Sequence, residues 1–132
     1  MLTCFALAAL GAVSLSDIPA LAAEVETEAR ELTIQTEITP AFIAELEDFS
    51  ADAERLSAAL RQAEVEQDLP CIFHGIAEDA RERTAELQAA RGAEDREAAF
   101  AGLRVLLDDA ILIAPMAGAA AADAAARQTA SR

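Results

Sequence analysis

The chain has 132 residues, 54% of them hydrophobic and 26% charged, with a formal net charge of −14, which is one domain's length and too apolar for wholesale disorder. All ten basic residues are arginine, set against 24 aspartates and glutamates, so no basic stripe exists to neutralise a phosphate backbone. Nucleic acid is excluded as a partner on that ground, and an anionic membrane surface is disfavoured.

Residues 1 to 23, MLTCFALAALGAVSLSDIPALAA, have the layout of a cleavable signal peptide: an apolar run from Leu2 to Leu15, the breaker Asp17-Ile18-Pro19 and a small-x-small ending. The run falls short of the roughly 20 residues that span a bilayer. Cleavage is expected after Ala22 or Ala23, leaving no stable membrane insertion, although the basic residue that normally precedes such a run is missing. The expected location is periplasmic or secreted, and an arginine-only, alanine-rich composition fits a bacterial, GC-rich source.

Residues 24 to 38 alternate at Leu32, Ile34 and Ile38, and are read as an irregular leader or short extended segment. The helical region runs from 39 to 114. Thr39-Pro40 is a helix start, with threonine as the cap and proline in the first turn. Phe42, Leu46, Phe49, Ala53, Leu56, Leu60 and Ala63 then recur at steps of four and three, a heptad seam predicting a helix to about Gln67. Pro70 opens a second helix, Cys71 to Arg91, with the stripe Leu69, Phe73, Ile76, Ala80, Leu87 and with Gly92 as its stop. A third helix from Glu94 to Ala114 carries Phe100, Leu103, Leu107, Ala110 and Ala114. Val105, Leu106, Leu112 and Ile113 widen that face, so this helix is expected to sit most centrally and to end at Pro115. Residues 115 to 132 are alanine-rich, a C-terminal helix or tail with few large side chains to dock. The fold class is therefore all-α: a small antiparallel three-helix bundle, or four helices if the tail docks.

One constellation carries chemistry. Cys71, His74 and Glu78 stand three and four residues apart, on one face of the second helix, and a thiolate, an imidazole and a carboxylate are the ligand types of zinc and copper. Their common direction lies about 165° from that helix's apolar stripe, so the trio faces outward if the helix is regular. A cysteine packed at the helix entry is the competing reading, and the single cysteine left in an exported chain also suits an intermolecular disulfide. No glycine loop for phosphate and no calcium loop is present. Asp108 and Asp109 are adjacent on a helix and point about 100° apart, which rules out a shared-proton pair and suggests that at least one meets solvent or an arginine.

With one histidine, no lysine and no tyrosine, general acids and nucleophiles beyond carboxylates are scarce, and no enzymatic activity is evident. The expected function is a small secreted acidic helical protein acting on a protein partner or by self-association. The alternative is a periplasmic metal-binding protein using the face of Cys71, His74 and Glu78.

Overall fold

The computed structural model describes residues 13–65 and 68–132, and every regular element in them is helical. A short 3-10 turn, Leu15–Asp17, leads into α1 (Ile18–Thr33), followed by α2 (Pro40–Gln62), α3 (Asp68–Ala89) and α4 (Gly92–Ala130). The helix from Glu24 to Thr33 replaces the irregular or extended segment expected there. Val25, Ala29 and Leu32 continue the buried positions Ile18, Leu21 and Ala22 at helical spacing, and a helix satisfies its own backbone where a lone strand would have no partner. Pro19 lies in the first turn, where its missing N–H costs nothing. The expected cleavage sites thus fall inside a packed helix.

α2 starts as the sequence indicates, with the Thr39 hydroxyl oxygen accepting from the Phe42 amide at 3.0 Å. It stops earlier than Gln67. Glu64 adopts φ 55, and the amides of Glu64 and Val65 turn back to the carbonyls of Arg61 and Leu60 at 3.1 and 3.0 Å. That is a Schellman ending with glutamate at the position that favours glycine. Val65 is buried just beyond it and completes the motif's apolar contact. Between α3 and α4 the reversal falls on Gly92 at φ 85, in the left-handed region where a side chain is strained.

α4 does not end at Pro115. It runs through to Ala130, about 58 Å at 1.5 Å per residue. Proline removes one backbone donor from a helix interior, but the turns around it are held from outside. Ala114, Ala117 and Ala121 are fully buried, and a methyl group on Gly118 would lie 3.7 Å from both Ala22 and Pro19. The tail is therefore helical because the start of α1, assigned from sequence to the signal peptide, docks upon it.

The four helices pack most extensively as the pairs α1 with α4 and α2 with α3. The second pair is antiparallel: Ser50 and Ser57 of α2 donate their buried hydroxyls to the carbonyls of Ala77 and Pro70 at 2.9 and 2.5 Å. Phe42, Leu46, Phe49, Leu56 and Leu60 of α2 are fully buried against Phe73 and Leu87 of α3 and Leu103 and Leu107 of α4, in one cluster. Phe42 also stacks on Phe100, their ring centres 5.8 Å apart. The heptad seam of α2 and the stripe of α3 are buried as their spacing implies, with Ala63 half-buried at the seam's end. The expected central place of α4 does not hold, because Val105 and Leu112 point away from the bundle.

Candidate functional site

α3 presents Cys71, His74 and Glu78 on its outer side, with Cys71 and Glu78 exposed and His74 half-buried. The imidazole is engaged at both nitrogens: Nδ1 lies 3.0 Å from both carboxylate oxygens of Glu54 on α2, and Nε2 lies 3.2 Å from Glu78. Arg81 reaches the same Glu54 at 4.0 Å. Glu54 belongs to the acidic run of α2, which from sequence is only a solvated face; its cross-helix role depends on the α2–α3 register, which spacing within one helix does not reveal. The ligand atoms of Cys71, His74 and Glu78 do not converge, since the described His, Cys, Asp and Glu side chains that gather within 4.8 Å of one another are others. His74 ties α2 to α3 through carboxylates.

The converging group is Glu24 and Glu28 of α1 with Asp52 of α2. Oε2 of Glu28 is buried and accepts no hydrogen bond. Burial first, then the Asp52 carboxyl beside it, then the charges of Glu24 and Asp48 push the Glu28 pKa from 4.5 up to about 8. Glu28 thus holds its proton at neutral pH, the response of a carboxylate placed among others and removed from water. Asp52 is in turn paired with Arg55 at 2.8 Å. A shallow cavity of about 170 Å³ continues the seam, lined by Glu28, Glu31, Leu32, Glu45 and Asp48. These acids were invisible as a group in the sequence because half of them come from the segment read as a leader.

The third feature is the outer face of α4. Val105, Leu112 and Met116 are 65, 71 and 59% exposed, and with Ala98, Ala101 and Ala119 they form one stripe along the helix. Asp108 beside it and Asp109 within it are both exposed, which meets the expectation that at least one faces solvent, and neither is in an ion pair among the described residues. An 18-residue window of α4 has mean hydropathy 1.7, long and apolar enough to cross a membrane by length and composition, yet only 33% of it is buried in the bundle.

Comparison with protein families, with characterised proteins and with solved structures finds no match to this chain.

Proposed function

We propose that the chain is a non-catalytic helical bundle that acts by holding a helix of another protein against the outer face of α4. The observation that carries this reading is an inversion of size. Between Ala110 and Ala121 the four buried positions, 110, 114, 117 and 121, are all alanine, while the exposed positions include Leu112 and Met116. Burial of a leucine or methionine side chain stabilises by roughly 1.5–3 kcal/mol, so a helix serving only its own bundle gains by turning the larger groups inward. Here the small side chains let α1 approach closely and the large ones remain available. Export to the periplasm stays part of the proposal on the strength of the apolar run at the N-terminus, with the cut placed ahead of Leu15, because α1 needs Ile18, Leu21 and Ala22 for its packing.

The test is a pair of surface variants, Val105→Asp and Leu112→Asp, in the full chain. Both positions are exposed, so the melting temperature should move little, while recovery of a partner protein identified with the wild-type chain should be lost. Unchanged recovery with both variants refutes the α4 face.

A further inference from the structure

We infer that the helix docked on α4 is amphipathic with arginine or lysine flanking its apolar stripe, an inference that rests on the reading of α4 given above. The stripe Val105, Leu112, Met116, Ala119 advances in steps of seven, four and three, the seam that one helix presents to one other helix. From Val105 to Ala119 it extends for roughly 21 Å, about four turns of such a partner.

The charge beside that seam is one-sided. Between Arg104 and Arg127 the chain contains no basic residue, while Asp108, Asp109 and Asp123 lie in that interval, all three exposed. Asp109 stands one step of four after Val105 and one step of three before Leu112, inside the seam itself. Any helix that covers Val105 and Leu112 also removes water from Asp109, and a carboxylate desolvated without a partner is strongly unfavourable. α4 carries Arg104 one turn before Asp108 but no cation within a turn of Asp109, so the occupant must supply one there.

A second copy of the chain fits poorly. It brings the same stripe with the same carboxylates and no basic residue between Arg104 and Arg127, and each copy carries a net charge of −14. An anionic bilayer repels the same surface. A partner with guanidinium or ammonium groups on either side of its apolar stripe satisfies both requirements, covering Val105, Leu112 and Met116 while pairing with Asp108 and Asp109.

The probe is a fluorescein-labelled synthetic helix about three heptads long with leucine in the seam and arginine at the flanking positions, titrated with the full chain by fluorescence anisotropy. A matched peptide with glutamate in place of arginine serves as the control. The arginine peptide should bind at least about tenfold more tightly than the glutamate peptide, and more weakly as salt is raised. Leu112→Asp should weaken binding about tenfold or more, the equivalent of one buried leucine. That loss is diagnostic because the variant adds negative charge, which by itself would strengthen any attraction of a basic peptide to an acidic surface. Asp109→Asn should weaken binding several-fold and flatten the salt dependence. If Leu112→Asp binds the arginine peptide as well as the wild type does, the peptide is held by charge alone and the docking face fails together with this inference. If Leu112→Asp weakens both peptides and the two bind equally, the face stands and the basic partner is refuted. Sedimentation of the wild-type chain as a dimer that Leu112→Asp converts to monomer makes a second copy the occupant and overturns the inference.

Discussion

A chain that begins at Glu24, the mature form implied by a cut after Ala23, should be far less stable than one that begins at Val13. The cut removes the first six residues of α1 and with them Ile18, Leu21 and Ala22, which are 0, 5 and 2% exposed. An isoleucine and a leucine contribute roughly 1.5–3 kcal/mol each when buried, and an alanine methyl adds about 0.8. The loss is therefore about 4–7 kcal/mol, against a total of roughly 5–15 kcal/mol for an ordinary domain. The damage also reaches α4, whose turns around Pro115 would lose the contact of Pro19 and Ala22 with Gly118. Urea unfolding of the two chains, followed by circular dichroism, measures the difference directly. Hydrogen exchange should show protection falling first at Ala114 to Ala121. Equal unfolding midpoints, with protection of that stretch preserved, would mean that the start of α1 contributes nothing to the core and would refute the packing argument.

Three further outcomes follow from single groups. Glu28 has its pKa raised from 4.5 to about 8, so its contribution to stability is complete below pH 4.5 and is lost as the pH rises through about 8; the wild type should lose on the order of 2 kcal/mol between pH 5 and 9, less than the full shift implies because water screens part of the site, and Glu28→Gln should remove most of that dependence in urea titrations at the two pH values. Glu64→Gly relieves a left-handed residue at the end of α2 and should raise stability by about 0.5–1 kcal/mol, whereas Glu64→Ala should not, a contrast read from melting temperatures. Cys71 is exposed, so it should react rapidly with iodoacetamide in the native metal-free protein; slow reaction would favour a packed cysteine, and protection by zinc that His74→Ala abolishes would establish the metal-binding alternative.

How far the fold could be read from the sequence depended on whether one helix alone determined the answer. The seam of α2 and the stripe of α3 were legible residue by residue because each pairs large apolar groups with charged ones at helical spacing, and Phe42 to Leu60 are buried accordingly. The start of α2 was legible for the same local reason, its threonine cap and first-turn proline. α1 was not, since an apolar stretch followed by small residues satisfies a signal peptide and a packed helix equally well. Only the alanines of α4, another hundred residues along the chain, show what Ile18 and Leu21 are for. The carboxylates of Glu28 and Asp52 and the grip of Glu54 on His74 were hidden for a related reason, being contacts between helices whose relative register no periodicity encodes.

α4 failed in a more informative way. Its large apolar residues lie on every side, so a periodic reading counted Val105, Leu106, Leu112 and Ile113 together as one broad inward face. In the bundle Leu106 is buried, Ile113 is half-buried, and Val105 and Leu112 face solvent. A helix at the edge of a bundle cannot bury its whole circumference, and whichever side is left over must be polar or be covered by something else. The outward side of α4 is not polar between Val105 and Ala119 except at Asp108 and Asp109. A misassigned face thus becomes the main support for the proposed docking role: the apolar groups that exceed the needs of the core are ordered into one stripe rather than scattered, and the only charges among them have the sign that a basic helix would neutralise.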